Sequence, residues 1–389
     1  MLLESLFLLL PLAALSGWWI GRRGRLRKQD EGAFELPSNY LKGLNYLLNE
    51  QQDKAIELFI QMLDVDNNTV ETHLALGSLF RRRGEVDRAI RIHQNLIARP
   101  TLSKEQRAVA LFELGEDYMR AGLLDRAETL FKELIDTEPH TGAALQQLLD
   151  IYQQEKDWDK AIQISHRLES RTGQSRRAIV AHYYCEIAEQ ACRQGEPAKA
   201  LKYLKRALVE DRQCARASIL EGNIEKTAGN IKAAIRAYHR VEEQDPDFLP
   251  EVIQPLIDCY KRLGRIDEMV VFLRQNLAKH PGISLMLALS ELIRQEKGNE
   301  EAVEFITEYL KQRPSVRGMD RLLDLNLSNV KEPVREKLQV LKDVAEQLIA
   351  NKPVYECCHC GFAGKKLHWQ CPGCKYWNTV KPIHGVEGE

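Results

Sequence analysis

The sequence predicts an all-α protein in which repeated two-helix units stack into a superhelix. An N-terminal transmembrane helix precedes this superhelix, and a small C-terminal metal-binding domain follows it. Three observations predict this organisation: an apolar run at the front, a period of about 34 residues through the middle, and two Cys-x-x-Cys pairs near the end. With 389 residues, the chain is long enough for more than one domain.

The composition excludes two broad classes of protein. Hydrophobic residues make up 44% of the chain and charged residues 29%, which is ordinary for a folded protein and not for a disordered polymer. Lys and Arg total 55 against 56 for Asp and Glu, so no overall positive field gathers nucleic acid. Outside the C-terminal pairs, the cysteines show no spacing that suggests disulfide bridges, which indicates a reducing compartment. These cysteines are Cys185, Cys192, Cys214, Cys259 and Cys358.

Residues 1–20 are predicted to be a transmembrane anchor. The stretch LLESLFLLLPLAALSGWWI carries one charge, Glu4, and roughly 20 apolar residues span a bilayer core as a helix. Its proline is tolerated within a membrane span, and its two tryptophans suit the membrane interface. A secretory signal peptide is the competing interpretation, but such a peptide needs positive charge before the apolar run, and no basic residue stands there.

Residues 21–39 are predicted to be a basic stop-transfer segment followed by a linker. Positive charge beside a membrane span marks its cytoplasmic side, so the chain after the anchor is expected to face the cytoplasm. The stretch GAFELPSN contains the glycine, proline, serine and asparagine typical of a linker. The basic residues are Arg22, Arg23, Arg25, Arg27 and Lys28.

Residues 40–350 contain a repeated pattern. The stretches LALGSLFRRRGEVDRAI and FELGEDYMRAGLLDRAE both show Leu-Gly, an aromatic residue three positions later, a glycine four further on, and an alanine five beyond that. This alanine serves as a marker that recurs at intervals of 34, 38, 34, 39, 34, 35 and 33 residues. The pattern resembles the tetratricopeptide repeat, a helix-turn-helix unit, and predicts about eight repeats plus terminal helices. The marker positions are Ala55, Ala89, Ala127, Ala161, Ala200, Ala234, Met269 and Ala302.

Small residues in the repeats have two predicted roles. Glycines within first helices let two helices approach closely, whereas a second set of glycines ends those helices. The fourth and fifth repeats have Leu149 and Ala188 where the pattern wants glycine, so looser helix contacts are expected there. The two longest intervals predict extended helices or loops near residues 100–106 and 170–178. The first set comprises Gly77, Gly115 and Gly222, and the second Gly84, Gly122, Gly195, Gly229 and Gly264.

Stacked repeats of this kind bury a continuous core and form a concave groove lined by the first helices, which binds peptides or folded partners. In the second and third repeats, several polar residues occupy outward positions of these helices. An ordinary solvated face and a specific partner contact both explain them, and their mixed charges provide no clamp for an acidic chain end. They are Ser78, Arg81, Arg82, Glu116 and Arg120.

Residues 351–389 are predicted to form a four-cysteine metal-binding domain. Cys357 with Cys360 and Cys371 with Cys374 form two Cys-x-x-Cys pairs separated by ten residues, and such pairs make turns whose thiolates converge on one ion. The stretches CHCG and CPGC resemble the knuckles of rubredoxin-like and zinc-ribbon domains. One structural metal ion, zinc or iron, is therefore expected, and it contributes to folding because the domain is small. The weaker ligand candidates are Cys358, His359 and His368.

The chemistry of four protein ligands argues against an enzyme. A closed coordination shell leaves no position for substrate or activated water, although iron in the same cage permits one-electron transfer. The chain has no recognised hydrolase or dinucleotide-binding motif. Three aromatic residues, Trp369, Tyr376 and Trp377, are expected to pack the metal domain against the last helices, with contact to a partner protein as the alternative.

This order of parts resembles the lipopolysaccharide assembly protein B family of Gram-negative bacteria along the whole chain. The resemblance implies an adaptor in the bacterial inner membrane, single-pass and with its soluble domains on the cytoplasmic side. It also implies that the metal domain docks on the repeats. The implied partners are a membrane-anchored AAA metalloprotease of the FtsH type and, as its client, the deacetylase that commits precursor to lipid A. Other inner-membrane lipopolysaccharide assembly proteins are further implied partners, and a homodimer stays open.

Two other functions remain as alternatives. A rubredoxin-like electron-transfer protein could use the repeats to dock on its partners, and a visible iron-thiolate absorbance that bleaches on reduction distinguishes it. Nucleic-acid binding through a zinc ribbon is disfavoured by the neutral charge balance, although Lys365, Lys366 and Lys375 form a small positive cluster.

Overall fold

The structure is a computed structural model that describes residues 38–49, 51–65, 70–135, 141–327, 330–350, 352–386 and 388–389. The predicted anchor at residues 1–20 and the basic segment that follows it lie outside the described residues. No helix within the described ranges is long and apolar enough to cross a membrane.

Eighteen α-helices follow one another within the described residues, which confirms the predicted helical repeats. They are α1 (Ser38–Leu48), α2 (Gln52–Val65), α3 (Val70–Arg83), α4 (Val86–Ile97), α5 (Lys104–Arg120), α6 (Leu124–Ile135), α7 (Thr141–Glu155), α8 (Trp158–Thr172), α9 (Arg177–Arg193), α10 (Pro197–Glu210), α11 (Ala215–Thr227), α12 (Ile231–Gln244), α13 (Leu249–Leu263), α14 (Ile266–Lys279), α15 (Ile283–Lys297), α16 (Asn299–Gln312), α17 (Val316–Leu327) and α18 (Val334–Ala350). A short 3-10 helix, η1 (Pro246–Phe248), precedes α13.

The chain divides into two compact units, residues 1–151 and residues 152–389. In the first unit, consecutive helices pack as the pairs α1 with α2, α3 with α4, and α5 with α6. In the second unit, the corresponding pairs run from α9 with α10 to α17 with α18. Each pair is one predicted repeat, with its first helix before the turn and its second helix after it.

The marker residues lie where the helices of a pair meet. All eight are fully buried, with 0% of their surface exposed. The close approach is clearest at Gly222 in α11, because a Cβ atom there would lie 2.3 Å from Cε1 of Tyr238 in α12. The glycines predicted to end first helices all have positive φ angles, from 68° to 86°, which glycine adopts at little cost. The two longest marker intervals contain the two longest first helices, α5 and α9, with 17 residues each.

Two of the predicted groove residues are occupied by contacts within the first unit. The Ser78 hydroxyl donates to the Glu113 carboxylate over 2.9 Å, and Arg81 forms an ion pair of 2.7 Å with Asp117, whose side chain is completely buried. These bonds connect the second repeat to the third, so neither side chain is a free partner contact. Burial raises the pKa of Glu116, on the same helix as Asp117, whereas Arg82 and Arg120 are exposed.

The C-terminal residues form a small antiparallel sheet in the second unit. Its strands are β1 (Tyr355–Cys357), β2 (Ala363–Gly364) and β3 (Val380–Pro382), in the order β2-β1-β3. Glu356 pairs with Ala363 on one side and with Lys381 on the other. This sheet carries the first cysteine pair at the end of its central strand.

Candidate metal centre and its docking surface

The two Cys-x-x-Cys pairs form turns with the same hydrogen bond. The N–H of Gly361 donates to the carbonyl of Cys357, and the N–H of Lys375 donates to the carbonyl of Cys371, both over 2.9 Å. The residue that closes each turn has a positive φ, 74° at Gly361 and 64° at Lys375. Each turn therefore directs two sulfur atoms to one side of the backbone.

The four sulfur atoms converge with the spacing of a tetrahedral site. Sγ of Cys357 lies 3.8 Å from Sγ of Cys374, and Sγ of Cys360 lies 3.6 Å from Sγ of Cys371. All four lie within 4.8 Å of one another. A zinc ion bound at about 2.3 Å from each sulfur requires edges of about 3.8 Å, so the arrangement fits one ion without rearrangement. Iron in a four-thiolate cage fits the same residues.

Hydrogen-bond donors around the cluster favour thiolates. Burial disfavours the Cys357 thiolate, but the Thr379 hydroxyl and the backbone N–H groups of Cys360 and His359 favour it and lower the pKa of Cys357 to about 6. The Thr379 Oγ1 lies 3.3 Å from this sulfur. Because metal ligands must be deprotonated, such donors assist metal binding.

The three weaker ligand candidates do not join this cluster. Within the described residues, the only group of cysteine, histidine or acidic atoms close enough to hold a metal consists of the four paired cysteines. Cys358 is exposed, and its N–H donates to the carbonyl of Thr379 on the neighbouring strand. His359 stacks on Tyr376 with a ring distance of 4.0 Å.

The metal domain docks on the repeats of the second unit through two tryptophans. Trp377 stacks on His182 in α9 at a ring distance of 5.4 Å and meets the edge of Trp158 at 6.0 Å. Its indole N–H donates to the side-chain carbonyl of Gln153 over 3.2 Å. Trp369 packs on Phe248 at 4.7 Å.

The expectation that Trp369, Tyr376 and Trp377 pack against the last helices is therefore wrong. The two tryptophans contact the fourth to sixth repeats and η1 instead, because these provide flat aromatic and cationic surfaces that match an indole. Tyr376 contacts His359 within the domain and remains 55% exposed.

Arg216 in α11 lies beneath both indole rings. Its guanidinium carbon is 5.7 Å from the ring centre of Trp369 and 5.9 Å from that of Trp377, within the range of cation–π attraction. Only 2% of its side chain is exposed, and Nη2 donates to Glu186 and Glu189 at 2.7 Å each. A buried charge needs such partners, so the docked domain and the two glutamates together stabilise this arginine.

His182 is the second buried polar residue of this interface. Burial, followed by repulsion from the cations Arg216 and Lys381, lowers the pKa of His182 to about 3. Its Nδ1 atom makes no hydrogen bond within the described part of the chain. The histidine therefore stays neutral and acts as a flat packing surface for Trp377.

Further contacts extend the docking along later repeats. The Tyr355 hydroxyl donates to Glu251 in α13, and Lys381 forms an ion pair with Asp245. The Glu389 carboxylate accepts from the N–H of Ser284 at 3.0 Å and from Arg317 at 2.7 Å. The metal domain is thus attached to successive repeats rather than to the end of the array.

These contact residues share one position in the repeat. His182, Arg216, Glu251 and Ser284 each stand 18 residues before the marker of their own repeat. The sequence analysis did not identify them. Polar residues recurring at one phase of four successive repeats are a signal that could have found them.

Comparison with known proteins agrees with this architecture. The family described as "Rubredoxin metal binding domain" matches residues 355–382, and tetratricopeptide-repeat families match residues 72–108, 112–167 and 185–247. The chain is 42% identical over 388 residues to "Lipopolysaccharide assembly protein B" of Escherichia coli strain K12, covering 100% of both chains. The chain belongs to the lipopolysaccharide assembly protein B family. The relative of that name from Haemophilus influenzae is 36% identical over 398 residues, covering 99% of this chain and 100% of its own.

Family membership confirms the predicted resemblance and the expectation of one structural metal ion. The tetratricopeptide repeats indicate protein–protein interaction. Among solved structures, "Structure of Naa15/Naa10 bound to HypK-THB" aligns with 79% of this chain and 46% of its own, with 14% identity and a TM-score of 0.43.

Proposed function

We propose that this protein is a membrane-tethered adaptor, not an enzyme, that regulates lipopolysaccharide synthesis. In this proposal it promotes degradation of the deacetylase that commits precursor to lipid A, by the membrane-anchored AAA metalloprotease. The family name supports a role in lipopolysaccharide assembly. The observation that carries the adaptor role is the attachment of the metal domain to one repeat position in four successive repeats, which makes the domain part of a binding scaffold.

The proposed role of the metal is structural. All four cysteines act as ligands, so the ion has no open position for a substrate. When bound, it holds the two turns in place, and Trp369 and Trp377 flank the second turn. The metal therefore contributes to the binding surface by fixing the tryptophans that cover Arg216 and His182.

The proposed tether is the predicted anchor at residues 1–20, with the soluble domains on the cytoplasmic side of the bacterial inner membrane. Confinement to the membrane raises the effective concentration of the adaptor near a membrane-bound protease. Residues 40–350 then bind the client, and residues 351–389 complete the scaffold. Other inner-membrane lipopolysaccharide assembly proteins are proposed to adjust its activity.

Reconstitution in proteoliposomes tests this proposal. The protease and the deacetylase are combined with and without the full chain, and the half-life of the deacetylase is measured. The proposal expects faster turnover with the wild-type chain, and loss of this effect with the double substitution Cys371→Ser, Cys374→Ser. Equal turnover with and without the full chain contradicts the adaptor function. A colourless zinc protein in the same preparation eliminates the electron-transfer alternative, which requires iron.

A further inference from the structure

A cavity of about 560 Å³ opens between α9, α10 and α11 in the second unit. Its volume falls within the range of about 300–1,000 Å³ that is typical of ligand sites. Small side chains on the facing helices, such as Ala188 and Ala228, leave this space. The apolar walls are formed by Ala188, Cys192, Pro197, Leu220, Ile224 and Ala228.

One amide at the rim is oriented for hydrogen bonding. The hydroxyl of the buried Tyr238 donates to Oδ1 of Asn223 over 2.7 Å and fixes this side-chain amide. Nδ2 of Asn223 makes no hydrogen bond within the residues that the structure describes, and Asn223 lines the cavity. An amide donor fixed in this way can bind a peptide carbonyl without a large loss of side-chain entropy.

The rim also carries one uncompensated positive charge. Glu189 and Arg193 both line the cavity, but Glu189 is neutralised by its ion pair of 2.7 Å with Arg216. Arg193 is exposed and makes no ion pair across the described ranges of the chain. The site therefore attracts a carboxylate beside an apolar group.

The cavity is continuous with the docking surface of the metal domain. Arg216, which holds Glu189 at the rim, is itself covered by Trp369 and Trp377. Docking of the metal domain therefore fixes one wall of the cavity. This arrangement explains how a structural metal ion contributes to binding at a site that contains no metal ligand.

We propose that this cavity binds an extended segment of a partner protein that carries an apolar side chain followed by an acidic residue. The apolar side chain fills the cavity, the acidic residue pairs with Arg193, and the peptide backbone accepts from Asn223. This proposal rests on the adaptor function and identifies the part of the scaffold that recognises a partner chain. A hydrocarbon chain fills the same walls but has no use for the fixed amide donor, so a peptide is the better match.

A displayed library of random heptapeptides tests this proposal, with the full-length chain held in lipid nanodiscs as the target. Peptides with a large apolar residue next to Asp or Glu are expected to be enriched. Their affinity is then measured by fluorescence anisotropy. The absence of any enriched apolar-acidic sequence overturns the proposal.

Filling the cavity provides the main variant. Ala228→Phe is expected to weaken binding of the enriched peptide about ten- to hundredfold, because the apolar side chain loses its place. The matched control is Ala121→Phe, since both alanines are exposed C-cap residues of first helices with similar φ angles, −72° and −77°. Unchanged affinity in Ala228→Phe overturns the proposal.

The charge preference is tested separately. Arg193→Glu is expected to weaken binding about two- to fivefold, as for other rim charges, and to favour peptides in which Lys replaces the acidic residue. Arg167→Glu is the control, since Arg167 is also exposed but does not line the cavity. An unchanged acidic preference in Arg193→Glu contradicts the assigned role of this arginine.

One measurement on the wild-type cavity does not depend on how a variant folds. Cys192 is exposed at the cavity, so bound peptide is expected to slow its alkylation. Unprotected Cys192 at saturating peptide overturns the site. Laurate that competes with the peptide at equal affinity, and is itself blocked in Ala228→Phe, identifies an acyl-chain site and also overturns the proposal.

The client assay separates this inference from the adaptor function. If Ala228→Phe loses the peptide but degrades the deacetylase normally, the cavity is not the client site and the inference fails while the adaptor function stands. If the wild-type chain has no effect on deacetylase turnover, the adaptor function fails, whatever the peptide assay shows. Parallel loss of peptide binding and client turnover supports both.

Discussion

Acidification is predicted to weaken the docking of the metal domain through His182. This histidine is neutral in the folded protein because burial and the cations Arg216 and Lys381 lower its pKa to about 3, whereas an unfolded histidine has a pKa of about 6.5. A group whose folded pKa is depressed contributes stability above the unfolded pKa. That stability is lost as the pH falls, since only the unfolded or released state takes up the proton.

The size of this effect follows from the two pKa values. Between pH 7.5 and pH 5.5, proton uptake by the released state costs the docked state about 1.4 kcal/mol, or about a tenfold shift in the equilibrium. Urea unfolding of the full-length chain in detergent at both pH values measures it. Tryptophan fluorescence reports on the interface because Trp158, Trp369 and Trp377 all lie around His182 or one another.

The substitution His182→Phe isolates this contribution because phenylalanine keeps a flat ring but cannot take up a proton. Its loss of stability between pH 7.5 and 5.5 is expected to be smaller than that of the wild type by about 1.4 kcal/mol. Protonation of the cysteines is common to both proteins and cancels. His166→Phe is the control, since His166 is exposed, and it should keep the wild-type pH dependence. The same pH dependence in wild type and His182→Phe refutes the reasoning.

Two further substitutions test the metal centre and the repeat packing. Replacing Cys371 and Cys374 by serine is expected to abolish metal binding and unfold the C-terminal domain, because structural zinc contributes about 10–16 kcal/mol in small domains. Metal content and protease resistance are the readouts, and Cys358→Ser should leave both unchanged. Gly222→Ala is expected to lower the free energy of unfolding by about 1–3 kcal/mol, because the added Cβ lies 2.3 Å from Tyr238. Urea unfolding measures this change, and wild-type stability in Gly222→Ala would contradict the assigned close packing.

The repeats were predictable because their packing imposes a periodic requirement on single residues. A second helix that crosses a first helix closely needs a small side chain at one point, and the alanine series from Ala55 to Ala302 records that need directly. The cysteine spacing is equally local, because two turns of four residues determine where the sulfur atoms lie. In both cases, neighbours in the sequence are neighbours in space.

The docking surface was not predictable in the same way because its parts are far apart in the sequence. Trp377 meets His182 and Gln153, which lie about 200 residues earlier. Proximity in the chain suggested the last helices, but α18 is followed by a segment that returns to earlier repeats. Arg216 looked like any helical arginine, since nothing in its neighbours shows that two indole rings will cover it.

The direct test of the central claim is the turnover of the deacetylase in proteoliposomes that contain the protease, with the full chain compared with a form lacking residues 1–20. The account predicts that the shortened chain folds, retains its metal and binds the client, but no longer accelerates degradation. Normal client turnover by the shortened soluble form would contradict the account, because the scaffold would then act without its tether.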